Sequence, residues 1–182
     1  MKELQEVLTP HAFAILLLIK AAQNQNGLRH SDYGRYHRYC TRRMLRIRKK
    51  LGHTQHRRIN KKSIYTPKPI TSDLALTNVK FLHILIFKCE ADWAYAMQMK
   101  QVANNLQSKA QHPNQIQALT GNRSNPNRLR MHYLKRFKAA AKTAKWVVDN
   151  CANAFDEQSR FELEAYVDFI EAVYLMEYHK FD

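Results

Sequence analysis

The chain has 182 residues, 45% of them apolar, with 30 Lys+Arg against 15 Asp+Glu and a formal net charge of +15. That length and apolar content suffice for one domain with its own core, while so much positive charge repels itself unless an anionic partner neutralises it. With only 4 glycines and 5 prolines to supply turns, and apolar residues recurring at helical spacing, the composition argues against an all-β fold and for an all-α one.

Thr9-Pro10 puts an N-cap before a proline at the first helical position, and Gly27 stands where a left-handed C-terminal residue is wanted. The pair predicts a first helix over about Pro10 to Asn26. Its apolar run, Ala12 to Ile19, is too short to span a bilayer, and Glu3 and Glu6 precede it where a signal peptide would be basic. The protein is therefore expected to be soluble and intracellular. Ser31 is read as the cap of a second helix that Gly52 ends, and the segment from Gly52 to Ile70 as a loop. A third helix is predicted over about Ser72 to Asn105, with Thr77-Asn78 the point where it would break. It is apolar nearly all round, through Leu82, Ile84, Leu85, Ile86, Phe87, Trp93 and Met97, which predicts burial at the centre of a bundle. Trp93 and Tyr95 are accordingly expected to pack in the core rather than to stack on bases. Gln107 to Asn125, rich in Asn and Gln with Pro113 and Gly121, reads as a loop. A fourth helix follows from about Asn127 to Cys151 and a fifth from about Asp156 onward. Tyr178, His179 and Lys180 still read as helix, so residues 1–182 are expected to form a single RNA-binding domain cut from a longer protein.

Charge is partitioned along this framework. Gly27 to Ile70 holds 14 Lys+Arg and one acid, Asp32; Arg123 to Lys145 holds eight bases and no acid; from Asp149 onward there are nine acids and two bases. The partition predicts a nucleic-acid face and a separate end that meets protein or solvent.

At 100° per residue the second helix separates into two faces. Tyr33, Tyr36, Cys40, Met44, Ile47 and Leu51 form a core-facing stripe; Arg35, Arg38, Arg42, Arg43, Arg46, Lys49 and Lys50 lie opposite, with Tyr39 among them. His37 and Arg48 border the stripe. A solvated face normally mixes signs to gain i,i+4 pairs of a few tenths of a kcal/mol each. Seven like charges without an acid cost helix stability, and a phosphate backbone accounts for that pattern better than solvent does. Arginine's planar fork can hold phosphate bidentately, read guanine or stack on an exposed base. Arg29 precedes the helix, and Arg57, Arg58, Lys61 and Lys62 follow in the loop, where they would grip backbone rather than specify sequence. RNA is favoured over DNA, because an arginine-rich helix enters the A-form major groove where a bulge or internal loop widens it. Lys135, Lys138, Lys142 and Lys145 form a second, weaker patch opposite Leu129, Phe137, Ala141, Ala144 and Val148.

Cys40, Cys89 and Cys151 are read as small core residues in a reducing compartment. The nine histidines show no metal-ligand spacing, so no metal and no cofactor are expected. The sequence also lacks a phosphate loop, a nucleophile elbow and a close carboxylate pair, which argues against an enzyme. Two rivals to RNA binding remain: a helical protein-interaction module whose basic face meets an acidic partner, and a membrane-surface or calmodulin-binding basic helix. The second would need Met44, Ile47 and Leu51 free of the core. The acidic stripe Glu164, Asp168 and Glu171 could bind a basic partner or pair with the fourth helix.

Two segments carry a family resemblance. GLRHSDYGRYHRYCTRRMLRIRKKL, from Gly27 to Leu51, and CEADWAYAMQMKQVAN, from Cys89 to Asn104, resemble in order the RNA-binding domain of the 68-kilodalton subunit of the signal recognition particle. The resemblance implies an all-α, tetratricopeptide-like bundle of antiparallel helices that binds the particle's RNA near the three-way junction of its S domain. It further implies that the arginine-rich helix enters the major groove beside an internal loop and remodels it, as part of co-translational targeting to the endoplasmic reticulum. A 72-kilodalton partner subunit is expected to join through a region C-terminal to this chain, and the protein to be cytoplasmic with a nucleolar assembly stage. The His- and Pro-rich segment from Gly52 to Ile70 and the insertion-like segment from Gln107 to Asn125 depart from the family pattern.

Overall fold

The computed structural model describes residues 14–60, 62–110 and 126–179. In chain order these form α1 (Ile15–Gln25), a 3₁₀ turn (Leu28–His30), α2 (Tyr33–Lys50), strands β1 (His56–Ile59) and β2 (Lys62–Tyr65), α3 (Ser72–Thr77), α4 (Val79–Ala110), α5 (Pro126–Cys151), a second 3₁₀ turn (Ala152–Ala154) and α6 (Glu157–Tyr178). The all-α expectation holds apart from one short hairpin.

α4 is the central helix, as its uniform apolarity predicts: Leu82, Ile84, Ile86, Phe87, Cys89, Ala94 and Ala96 are all buried. α2 packs antiparallel to it, with Tyr33 edge-on to Trp93 at 5.9 Å, Tyr39 edge-on to Phe87 at 6.1 Å and His53 against Phe81 at 5.5 Å. α5 lies antiparallel along another side, where Lys88 meets Thr143 and Asp92 meets Arg136. α6 runs parallel to α4, joined by Tyr166 to Glu90 and by Glu177 to Lys100. α1 buries Ile15, Ile19 and Ala22, one helical turn apart, and its Leu16 amide donates to Glu162 Oε2 of α6 at 3.2 Å. The three cysteines are free and buried.

The helix boundaries follow local chemistry. Thr9 and Pro10 lie outside the described residues. Gly27 adopts φ +114°, the left-handed conformation expected of it. The cap of α2 is Asp32 rather than Ser31: Ser31 is itself left-handed (φ 54°), so the Asp32 carboxylate is the group that accepts from the Arg35 amide, at 2.8 Å. The break at Thr77-Asn78 is present, with Asn78 extended between α3 and α4 and its Oδ1 accepting from the Lys80 amide at 2.9 Å. α4 continues to Ala110, so Gln107–Ala110 is helix and not the start of a loop. Residues 111–125 lie outside the described residues.

The segment from Gly52 to Ile70 contains the hairpin that sequence patterning missed. His56 pairs with Tyr65 and Ile59 with Lys62, so the hairpin is tight and Asn60 stands at its turn. Asn60 has φ 48°, which asparagine tolerates and such tight turns require.

One polar side chain sits at the centre of the core. Glu90 is 1% exposed and accepts from Gln23 Nε2 of α1 at 3.0 Å, Tyr36 Oη of α2 at 2.6 Å and Tyr166 Oη of α6 at 2.7 Å. Burial pushes the carboxyl pKa up, and the three hydrogen bonds pull against that rise. Four helices therefore converge on one carboxylate.

Candidate nucleic-acid interface

The core-facing side of α2 holds Tyr36, Cys40 and Ile47, all buried, flanked by the half-buried Tyr33, Met44 and Leu51. Gly34 brings the backbone close to α4, where an added Cβ would meet Gln98 Nε2 at 3.1 Å. His37 reaches the Ala91 carbonyl at 2.9 Å through Nδ1, which donates. These contacts set the rotation of the helix about its axis. The membrane-helix rival, which requires the stripe to be free, is at odds with this packing.

Opposite that stripe, Arg35, Arg38, Arg42, Arg46, Lys49 and Lys50 are exposed, as is Arg29 in the preceding turn. Among the described residues no carboxylate ion-pairs with any of them; the ion pairs are Lys100–Glu177, Arg136–Asp92 and Arg160–Glu164. The face is thus a row of cations one helical turn apart, held on a fixed backbone and paired with no carboxylate among the described residues.

Two residues assigned to that face, Tyr39 and Arg43, sit differently, and Arg48 at its border is drawn inward. Tyr39 is half-buried, stacked on Tyr36 at 6.3 Å and edge-on to Phe87, because its ring reaches over the rim of the core. Arg43 is also half-buried, with its Nε enclosed and lacking a hydrogen-bond partner. It lies close enough to His83 to help lower that imidazole's pKa, although burial is the larger cause. Arg48 turns toward the base of the hairpin, where Nη1 donates to the carbonyls of Lys68 at 3.3 Å and His53 at 3.4 Å. Part of its guanidinium therefore holds the chain instead of facing outward. Leu45 is 52% exposed on this side of the helix, an apolar residue that the two-face reading did not include.

In the hairpin, Arg57 and Arg58 stand opposite Ile64 and Ser63 in the strand register, and Lys62 is exposed. Lys61 lies outside the described residues. On α5, Lys135, Lys138, Lys142 and Lys145 are all exposed, opposite a buried face of Tyr133, Phe137, Ala140, Ala144 and Val147.

The two basic patches share a groove. An open cleft of about 780 Å³ runs between the C-terminal end of α2 with residues 68–72 on one side and α5 on the other, floored by α4. Its cations are Arg48, Lys68, Lys88 and Lys142, and no acid lines it. Farther along the same seam Tyr95 is only half-buried, between His37 at 5.1 Å and His132 at 5.7 Å, with the Arg136 guanidinium 5.2 Å over its ring. Trp93 is buried as expected; Tyr95 packs at the surface edge of the core. Sequence reasoning missed Lys68 and Lys88, although Lys88 is the one charge interrupting the apolar run from Phe81 to Phe87 and Cys89.

Two acids of α6 are engaged within the fold. Glu164 pairs with Arg160 on its own helix at 3.4 Å, and Glu162 caps the start of α1.

Comparison with known proteins bears on this arrangement. The model of the family described as "RNA-binding signal recognition particle 68" matches residues 28–182. The chain belongs to the SRP68 family. Signal recognition particle subunit SRP68 of Drosophila melanogaster is 36% identical over 155 residues, 84% of this chain and 22% of that protein. The SRP68 subunit of Caenorhabditis elegans is 42% identical over 84 residues, 46% of this chain and 14% of its own length. The one from Dictyostelium discoideum is 28% identical over 156 residues, again 84% of this chain and 22% of the relative. The chain thus spans about a fifth of the length of the SRP68 subunits of Drosophila melanogaster and Dictyostelium discoideum. The solved structure of the SRP68-RBD from Chaetomium thermophilum shares the fold, with a TM-score of 0.63 at 22% identity over 92% of this chain and 69% of that one.

Proposed function

We propose that the exposed face of α2 binds structured RNA of the signal recognition particle, entering the major groove where an internal loop widens it near the three-way junction of the S domain. The observation that carries the reading is the row Arg35, Arg38, Arg42 and Arg46 with Lys49 and Lys50, exposed and without a carboxylate partner among the described residues. Packing of Tyr36, Cys40 and Ile47 presents these cations without freedom to roll away, so the groove meets a preformed surface. The hairpin and the α5 lysines add contacts to backbone on either flank. Membership of an RNA-binding particle family supports the same reading. Its wider setting is remodelling of that RNA during assembly, with a nucleolar stage, and then co-translational targeting from the cytoplasm to the endoplasmic reticulum. A 72-kilodalton partner subunit belongs to the same setting, joined through sequence beyond this chain.

The test is titration of a junction-containing RNA and of a plain duplex with wild type and with Arg38, Arg42 and Arg46 changed to Ala. If about eight phosphates are contacted, log K falls against log salt with a slope of roughly −6 to −7. A slope near −2, equal affinity for both RNAs or an unaffected triple variant would count against the groove reading. Tight salt-insensitive binding to an acidic protein would favour the interaction-module alternative.

A further inference from the structure

We infer that the groove between α2 and α5 is a second RNA subsite, one that takes unpaired nucleotides, with a base stacked on Trp146 and the flanking phosphates on Lys88 and Lys142. The inference rests on the RNA-binding reading of α2 and extends it to residues outside that helix.

Three observations converge on the groove. The first is size and lining. At about 780 Å³ it exceeds what one nucleotide fills and falls within the range of small-ligand clefts, with Ile70, Leu85 and Trp146 giving it an apolar wall. Paired RNA offers ribose and phosphate to such a wall, whereas an unpaired base offers a π-face. The second is charge. Lys68, Lys88 and Lys142 line it without an acid, and Lys88 Nζ is held in place by Thr143 Oγ1 at 2.9 Å, leaving ammonium hydrogens for a phosphate. Thr143 Oγ1 in turn donates to the Ala139 carbonyl at 2.9 Å, which turns its lone pairs toward Lys88. The third is position. Arg48, which lines the groove, lies on the flank of α2 between its apolar stripe and its exposed arginine row, so the groove opens beside the helix that carries that row. An acidic peptide would satisfy the lysines but leave the Trp146 ring without a stacking partner, so RNA fits the lining better. Single-stranded nucleic acid is commonly held by this pairing of a cationic track with an aromatic platform.

The experiment uses the 182-residue chain and two probes: an RNA duplex interrupted by three unpaired pyrimidines, and the same duplex fully paired. Base–aromatic stacking contributes about 1–3 kcal/mol per base, so Trp146→Leu is expected to weaken the interrupted duplex about 5- to 150-fold and the paired one by less than twofold. Affinity for the paired duplex doubles as a check that the variant folds. Lys88→Gln with Lys142→Gln, which keeps the tryptophan, should lower the magnitude of the salt slope by about 1.5 on the interrupted duplex. Since the chain has 2 tryptophans and Trp93 is buried with Nε1 unpartnered, Trp93→Phe isolates Trp146 emission, which the interrupted duplex should quench. Equal effects of Trp146→Leu on both RNAs, no effect on either, or quenching by oligoglutamate and not by RNA would each overturn the subsite. Loss of binding in the triple-arginine variant with the Trp146 effect absent leaves α2 binding standing and refutes the groove. The reverse pattern supports the groove and refutes the α2 reading.

Discussion

Removing the Glu90 carboxylate tests how the interface is built, because that one group fixes α2 to three other helices. In Glu90→Ala the donors Gln23 Nε2, Tyr36 Oη and Tyr166 Oη lose their acceptor in a site that is 1% exposed. Each stranded buried donor costs about 1–3 kcal/mol, but rearrangement rescues part of this, so a total of about 3–5 kcal/mol is expected. For a chain of this length that lowers the melting midpoint by roughly 6–20 °C, readable by calorimetry or circular dichroism. Glu90→Gln keeps the shape and one acceptor oxygen, and should cost about 1 kcal/mol at neutral pH. The pH dependence has a definite sign. Burial raises the folded pKa of Glu90 above its unfolded value, so the folded state binds the proton more tightly. Wild-type stability from this group is present below the unfolded carboxyl range and falls as pH rises through the folded pKa. The stability gap between wild type and Glu90→Gln should therefore narrow on going from about pH 5 to pH 8. A gap that widens over that interval, or an Ala variant that costs less than about 1 kcal/mol, would falsify the convergence of four helices on a buried carboxyl.

Other outcomes follow from single contacts. Asp32→Ala removes the cap on the Arg35 amide and should cost about 1 kcal/mol in thermal unfolding, with Ser31→Ala near neutral. Gly27→Ala forces a Cβ to within 3.1 Å of the Asp32 carbonyl oxygen at φ +114°, and should destabilise by about 1–2 kcal/mol. Thiol labelling of the native protein should be slow at all three cysteines. Burial pushes Cys40 and Cys89 far above the ordinary thiol range and Cys151 up to about 11; rapid labelling of Cys40 would contradict its packing. Arg48→Ala removes the Nη1 donor that the Lys68 and His53 carbonyls share, so amide exchange at residues 53 and 68 and their neighbours should quicken.

What the sequence disclosed depended on whether the signal was local. Tyr36, Cys40 and Ile47 recur at helical spacing, and the structure buries all three; the break at Asn78 and the left-handed Gly27 were likewise written in neighbouring residues. The hairpin was not, because β2 is exposed along its length and so lacks the alternation of apolar and polar residues that marks a half-buried strand. Ser31 and Asp32 are both good caps, and only the left-handed turn at Ser31 decides between them. Glu90 gave no hint of its partners, since Tyr166 is 76 residues away and Lys88 and Asp92 put other charges in the same stretch of α4. The half-burial of Arg43 and Arg48 arises from α4 and from residues 53–68, which a helical plot of α2 alone does not contain.

The carboxylate at the centre of the core also determines when the entropy of ordering α2 is lost. Many arginine-rich peptides are coils that become helical only on their RNA, and the loss of freedom weakens the complex. Here Tyr36 anchors the helix through Glu90 before any RNA arrives. Association should accordingly be a single fast, salt-steered step without a slow folding phase, and its heat-capacity change should be that of a polar contact rather than of coupled folding. The same wiring means that a synthetic peptide spanning α2 is a poor substitute for the domain, since its like charges disfavour the helix once the core is gone.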